Sequence, residues 1–391
     1  MSLIYALTGW GLAIIWLSRI LDAVFGMRKV PDITRPEWNR TPVKPNGDPR
    51  VSIIVPARNE EADIGQALKS LLALDYSNFE IVAVDDRSTD ATSAIMDRVA
   101  ASNDAGGRLK VVHVHELPPN WLGKTHAMWR AASLASGEWL LFTDADVIFK
   151  PDALRRAVTY AESESADHVV LFPRMVMKHV GERMMIAFFQ TLFMFGHRPW
   201  KVSDPRTKDH MGVGAFNLIR TSCYNAVGTY ERLRMEVLDD MKLGKVVKEA
   251  GFAQRNVFGE DLISIRWAAG AMGVVDNLTK NFFAVLSYRW PLALISCAGL
   301  LLFNLVPFLG LAFAPGTSGF GFVVALLSMF AIYLGMSRKS DIPARYFILH
   351  PVSTILFVYA MLRSMFLTLG RGGVIWRGTF YPIAALRRGL V

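Results

Sequence analysis

Residues 139–147 read Trp-Leu-Leu-Phe-Thr-Asp-Ala-Asp-Val. An apolar run of strand length ends in two carboxylates, Asp144 and Asp146. A strand that ends this way presents two hard oxygen ligands at a sheet's carboxyl edge, the kind magnesium and manganese use to grip a diphosphate. Alone, Asp-x-Asp also occurs by chance at solvated strand ends. Its weight comes from the segments around it. Val51-Ser-Ile-Ile-Val55 is a β-branched run ending at Pro56, and Phe79-Glu-Ile-Val-Ala-Val84 ends at Asp85. Leu109 to Val114 reads as a third strand and Glu138 to Phe142 as the fourth. Helical spacing lies between them: Asn59 to Leu74, with Ile64, Leu68, Leu71 and Leu72 on one face, then Asp90 to Val99 and Lys124 to Ala135. Repeated β-α units predict an α/β fold with a mostly parallel sheet and right-handed crossovers. Ligands of such sheets sit outside the strands' carboxyl ends, where Pro56, Asp85 and Asp144 all fall.

The whole chain has 391 residues, 52% of them hydrophobic and 20% charged, with a mean hydropathy of +0.28. That is too apolar for a soluble domain alone and too charged for a chain wholly within a membrane. Residues 4–25 are long enough to span a bilayer, which takes about 20 residues. Arg28 and Lys29 follow this run instead of preceding it, so it reads as an uncleaved anchor with residue 28 onward in the cytoplasm. Residues 291–314, 320–336 and 347–369 are three further candidate spans. The expected organisation is an anchor over 1–30, a Pro-rich linker over 31–49, an α/β domain over 50–280, and a membrane region with a basic tail over 281–391.

Three full spans would put the tail outside, yet Arg371, Arg377, Arg387 and Arg388 favour a cytoplasmic tail. A re-entrant 347–369 segment, which carries His350-Pro351, would reconcile the two. Residues 184–196 are apolar but too short to span; they read as an in-plane interfacial helix with a basic rim in preference to a core helix. The net charge of +9 comes from Lys and Arg beside apolar segments, which points to lipid headgroups and not to nucleic acid. Cys223 and Cys297 show no metal spacing and read as buried thiols.

Three further motifs follow the strands. Arg58-Asn59-Glu60-Glu61 is either an acidic helix start or a turn whose backbone and Glu60 hold a nucleoside. Asp85-Asp86-Arg87-Ser88-Thr89-Asp90 offers helix caps, but paired carboxylates exceed what a cap needs and suit ribose hydroxyls and a base N–H. Gly123-Lys124 opens a helix, where backbone N–H groups and a cation suit phosphate; the spacing of a Walker loop is absent.

Together these motifs resemble the inverting glycosyltransferases of family 2, which have a GT-A fold, over about residues 51–270. The resemblance implies a nucleotide turn at Pro56, Ala57 and Glu60, base and ribose contacts from Asp85 and Asp86, and a diphosphate contact from Lys124. It implies that Asp144 lies near ribose and metal, that Asp146 ligates the metal directly, and that the cofactor is Mg2+ or Mn2+. Gly212-Val-Gly214 resembles the family's acceptor-side glycine segment. Val237-Leu-Asp239-Asp240 resembles its Glu-Asp motif with Asp239 in place of Glu, which makes Asp240 the general base. Arg266-Trp267 resembles the end of the QxxRW motif of processive synthases. Ile263 stands at the Gln position, which counts against polymer synthesis. Trp267 either lines the acceptor site or belongs to a core.

An anchor, a catalytic domain and about three later spans resemble the lipid-acceptor branch: ceramide, carotenoid and hopanoid-associated glycosyltransferases. Pro119-Asn120-Trp121 and Trp376-Arg377-Gly378 are most similar to the bacterial carotenoid and hopanoid members. The expectation is a multi-pass enzyme of a bacterial inner membrane with a cytoplasmic catalytic domain. It would move a sugar from a nucleotide donor, UDP-linked, to a lipid hydroxyl or carboxyl. A polysaccharide synthase and a non-catalytic membrane scaffold are the alternatives, and intact Asp144, Asp146, Lys124 and Asp240 count against the scaffold.

Overall fold

The computed structural model describes residues 2–40, 47–259 and 261–391. In chain order, helix α1 (Ser2–Met27) is followed by β1 (Val51–Ala57), α2 (Ile64–Leu72), β2 (Phe79–Asp86), α3 (Thr92–Ala100) and β3 (Leu109–Val114). Next come α4 (Gly123–Ala132), β4 (Trp139–Phe142), β5 (Ile148–Phe149), α5 (Ala153–Ser163), β6 (His168–Phe172) and β7 (Arg174–Met175). Then follow α6 (Val180–Gly196), β8 (Asn217–Arg220), α7 (Thr221–Ala226), α8 (Thr229–Arg232), α9 (Asp239–Glu249), β9 (Gln254–Phe258) and β10 (Ile263–Ile265). The rest is α10 (Gly270–Val285), α11 (Trp290–Asn304), α12 (Val306–Phe313), α13 (Phe320–Met336), α14 (His350–Arg371), β11 (Gly373–Trp376), β12 (Thr379–Pro382) and α15 (Ile383–Arg388). The chain divides into two compact units. One holds Val30–Val176, Lys201–Arg266 and Arg388–Val391; the other holds Met1–Lys29, Met177–Trp200 and Trp267–Arg387.

The first unit is built on a seven-stranded sheet ordered β3-β2-β1-β4-β8-β6-β9. β1 runs parallel to β2 and β4, β2 to β3, and β9 to β6; β8 opposes β4 and β6. The β-branched run of β1 supplies both faces, because successive side chains alternate. Val51, Ile53 and Val55 join a cluster with Ile64, Leu68 and Leu71 of α2 and Leu154 of α5. Ile54 joins the opposite cluster, with Ala127 and Met128 of α4 and Leu243 and Val246 of α9. Helices thus cover both faces, as a largely parallel sheet requires. α2 starts at Ile64, five residues after the expected start at Asn59, because residues 59–61 are tied elsewhere. Residues 31–40 pack onto this unit: Ile33 is fully buried, and Arg156 donates to the carbonyls of Ile33, Thr34 and Arg35.

Buried His168 ties three strands together. Its Nε2 lies 3.1 Å from Asn217 Oδ1, and Gln254 Nε2 donates to its Nδ1 at 2.8 Å. The Gln254 contact needs an unprotonated Nδ1, and burial holds the pKa down to about 4, outweighing the Asn217 hydrogen bond, which favours the charged ring.

In the second unit, Ser2–Met27, Gly316–Met336 and Ala344–Arg371 are long and apolar enough to cross a membrane. Trp290–Asn304 and Val306–Phe313 add a fourth candidate span, bent by 45°. α1 and α13 meet through glycines: a Cβ on Gly321 would lie 2.4 Å from the Gly9 carbonyl carbon. Such backbone approach is how membrane helices pack without a hydrophobic drive.

The break in this unit is not where the sequence suggested. The 347–369 segment is one unbroken helix, because Pro351 sits in its first turn, where a missing N–H costs nothing. The 291–314 segment breaks at Leu305 instead, just before Pro307. The 184–196 run is also corrected. It is the body of α6, with Met185 and Phe188 fully buried and the Phe188 ring 4.7 Å from that of Phe357. It packs as a core helix of this unit, the alternative that the sequence favoured less.

His168 makes the first prediction. Its folded pKa is depressed below the free value, so its contribution to stability is full above about pH 6.5 and is lost as pH falls through about 4. His168→Gln should flatten that acid loss. Unfolding midpoints of the detergent-solubilised protein, measured across this window, check it; parallel curves for the two proteins would refute it.

Candidate functional site

β1 and β2 end side by side, with Ala57 opposite Asp85 in register. Pro56 is half-buried and Ala57 buried at this edge. Asn59 takes a left-handed conformation, and the loop it opens is laced to the loop after β2. The Asn59 N–H donates to Ser88 Oγ at 3.0 Å, the Glu60 N–H to Thr92 Oγ1 at 2.7 Å, and the Thr89 N–H to Asn59 Oδ1 at 2.8 Å. Residues 58–61 are therefore a turn and not a helix start. Ser88 is spent on this lacing instead of capping α3.

Asp85 and Asp86 are both buried, and they face different partners. Asp85 Oδ1 accepts from the Ser88 N–H at 3.1 Å, and Oδ2 lies 3.3 Å from His113 Nδ1. Asp86 takes a two-pronged contact from Arg87, at 2.8 and 3.0 Å, with Arg58 at 3.7 Å. It also sits against the start of α4: a Cβ on Gly123 would lie 2.2 Å from Asp86 Oδ2, so only glycine fits. Outside Asp85 opens a cleft of about 510 Å³, lined by Arg87, Ser88, Ser93, Asp97 and His113 among others.

The second cluster lies where β4, α4 and α9 converge. The Leu122 N–H and the Thr125 hydroxyl both donate to the Arg234 carbonyl at 2.8 Å, tying the start of α4 to the chain that leads into α9. Lys124 Nζ stands 2.8 Å from Asp144 Oδ1 and 3.6 Å from Asp239 Oδ2. Asp240 Oδ2 accepts from the Gly214 N–H at 2.8 Å, and Oδ1 from the Met241 N–H at 2.7 Å. Gly214 in turn abuts Asp144, whose Oδ2 would be 2.5 Å from a Cβ there. The Thr143 hydroxyl donates to the Ala215 carbonyl and holds this loop to the end of β4. Lys124, Asp144, Gly214, Asp239 and Asp240 are thus one assembly.

Its electrostatics are lopsided. Burial pushes Asp146 up to about 7, with the charges of Asp144 and Glu60 adding to it. Burial also holds Asp239 and Asp240 above the usual carboxylate range, although Lys124 pulls both down. Burial lowers Lys124, but Asp144, Asp239 and Asp240 outweigh it and raise the ammonium well above its ordinary value. Three carboxylates, Asp144, Asp239 and Asp240, face one lysine, and Asp146 adds its charge beside Asp144, a field that favours added positive charge. Among the described residues, no three His, Cys, Asp or Glu side chains are grouped to hold a metal. Asp144 and Asp146 fit a hard cation that draws its other oxygens from a diphosphate and water, as magnesium commonly does.

Arg266 follows β10 and is half-buried in the sheet unit. Trp267 belongs to the other unit, where its ring lies 5.0 Å from that of Phe189, tilted by 39°, and its carbonyl accepts from Asn277. The sequence reading missed Arg58, Arg87 and His113. His113 is a polar residue within a strand, and only the β2–β3 register sets it beside Asp85.

The family model described as Glycosyl transferase family 2 matches residues 52–228. A 4,4'-diaponeurosporenoate glycosyltransferase of Staphylococcus aureus strain N315 is 23% identical over 384 residues, covering 94% of this chain and 99% of its own length. One of Staphylococcus haemolyticus is 23% identical over 244 residues, covering 62% and 63%. Among solved structures, a mannosyltransferase from Pyrobaculum calidifontis, in complex with GDP-Man and Mn2+, superposes with a TM-score of 0.53 at 18% identity. It covers 93% of this chain and 98% of that one. The shared fold is GT-A.

Gly244 yields the prediction here. In a helix, alanine normally gains about 1 kcal/mol over glycine. At this position a Cβ would lie 1.9 Å from the Met211 carbonyl oxygen. Gly244→Ala should therefore destabilise, by about 2 kcal/mol as overpacking does. Denaturant unfolding checks the sign; a gain in stability would show that the loop at 211–214 yields freely.

Proposed function

We propose that this chain, a glycosyltransferase with a family 2 catalytic domain, moves a sugar from a nucleoside-diphosphate donor to a hydroxyl or carboxyl of a membrane lipid, with inversion. The observation that carries the reading is Lys124 held between Asp144 and Asp239, beside an Asp240 that two backbone N–H groups hold in place.

The donor's nucleoside lies at the ends of β1 and β2, with Pro56, Ala57 and Glu60 on one side and Asp85 and Asp86 on the other. Its diphosphate points to the start of α4, where backbone N–H groups favour anions. Lys124 leaves Asp144 for the phosphate oxygens as the donor docks. A magnesium or manganese ion on Asp144 and Asp146 would neutralise charge on the departing diphosphate. Asp240 takes the proton from the acceptor hydroxyl as that oxygen bonds to the sugar's anomeric carbon and the bond to the diphosphate breaks. Burial suits the task, since a raised pKa makes a carboxylate a stronger base. Gly214 and Asp239 shape the acceptor side, with Arg266 flanking it.

The lipid acceptor is supported by the apolar helices of the second unit and by the name of the Staphylococcus aureus relatives, which specifies 4,4'-diaponeurosporenoate. An isoprenoid of carotenoid or hopanoid type fits best. A uracil-containing donor is the reading for the nucleotide, although the Pyrobaculum structure holds GDP-Man. Arg28 and Lys29 after the first span support a catalytic domain on the cytoplasmic face, and the staphylococcal relatives support a bacterial cell membrane.

Two outcomes test this. Transfer should stop in excess chelator, and Asp146→Ala should lose more than about tenfold; full activity with chelator present would remove the metal from the account. Asp240→Asn should lower turnover by about 10² or more while donor affinity, read by nucleotide titration, stays near wild type. Transfer by Asp240→Asn at close to the wild-type rate would shift the base to another carboxylate.

A further inference from the structure

We propose that His113 is a positioning residue for the donor nucleoside: its protonated ring holds the Asp85 carboxylate in place at the cleft beyond β2. The inference rests on reading that cleft as the nucleoside site.

His113 lies opposite Asp85 in the β2–β3 register. Its Nδ1 is 3.3 Å from Asp85 Oδ2 and 3.2 Å from Ser93 Oγ, and its Nε2 is 3.0 Å from Asp97 Oδ1. Each ring nitrogen thus faces a carboxylate oxygen. A neutral imidazole carries one N–H, so it satisfies one carboxylate and turns a lone pair toward the other. If that proton sits on Nε2, toward Asp97, then Nδ1 accepts from the Ser93 hydroxyl and meets Asp85 lone pair to lone pair. Only the imidazolium donates to both.

The groups around the ring come from every neighbouring element. Asp85 comes from β2, Ser93 and Asp97 from α3, Arg87 and Ser88 from the loop between them, and His115 from beyond β3. Burial opposes protonation, but the hydrogen bonds and charges of Asp85 and Asp97 outweigh it and the net shift is upward. The Ser88 N–H fixes one oxygen of Asp85 and His113 fixes the other. A carboxylate held at both ends is ready for a ribose hydroxyl or base N–H without an ordering cost at binding.

The protonated ring persists at low pH and is lost as pH rises, so nucleotide affinity should fall with rising pH. A merely structural histidine would shift affinity equally at all pH values. Uridine diphosphate and guanosine diphosphate are each titrated, without metal, onto the full-length protein in detergent at about pH 6 and about pH 8.5. Wild-type affinity for the accepted nucleotide should weaken about tenfold over this range, the size expected from one charge-assisted hydrogen bond. His113→Gln should show the weak value at both. Asp97→Asn keeps the ring but removes the carboxylate facing Nε2, so its loss should begin at lower pH; it carries the test if His113→Gln fails to fold. A His113→Gln that retains wild-type affinity and pH dependence, or an Asp97→Asn whose pH dependence is unmoved, overturns the role of His113 and leaves the nucleoside site standing. Failure of both nucleotides to bind the wild type at either pH, with or without added magnesium, overturns the site and the inference together.

Discussion

One lysine shared by several carboxylates is the constraint on which the catalytic unit turns. Lys124 reaches Asp144 and Asp239 from the first turn of α4, and Asp240 stands beside them. Holding these groups together needs three elements at one point, and the sequence supplies glycine wherever backbone must pass close. Gly123 lets α4 meet Asp86, Gly214 lets its loop meet Asp144, and Gly244 lets α9 lie against the Met211 carbonyl. The excess negative charge is eased by raised carboxylate pKa values and would be eased further by a cation. In the reaction proposed above, the cation would serve the leaving diphosphate and a raised carboxylate the base.

Much of this was legible because the α/β unit obeys strong local rules. Apolar β-branched runs placed β1, β2, β3 and β4, and the carboxylates at their ends lie where parallel sheets keep their ligands. What the sequence could not show is set by contacts between distant segments. α2 starts late because Asn59, Glu60 and Glu61 are hydrogen-bonded to residues 88–92, some thirty positions on. His113 looked like one more strand residue until the register set it beside Asp85.

The second unit shows where composition misleads. Hydropathy located the apolar segments, but it treats proline as a uniform breaker. Pro351 lies in a helix's first turn and does no harm, while Pro307 lies just past a break. The run at 184–196 looked interfacial because basic residues flank it. Its buried face, centred on Met185 and Phe188, packs against partners such as Phe357 that lie far along the chain.

The central claim is transfer of a sugar to a lipid by this carboxylate–lysine site. Membranes bearing the protein, incubated with a panel of radiolabelled nucleotide sugars and then extracted with organic solvent, measure it most directly. The account predicts label in a discrete, solvent-soluble glycolipid with inverted anomeric configuration. Label recovered only in long water-soluble polymer, or no label above that from membranes lacking the protein, would contradict it.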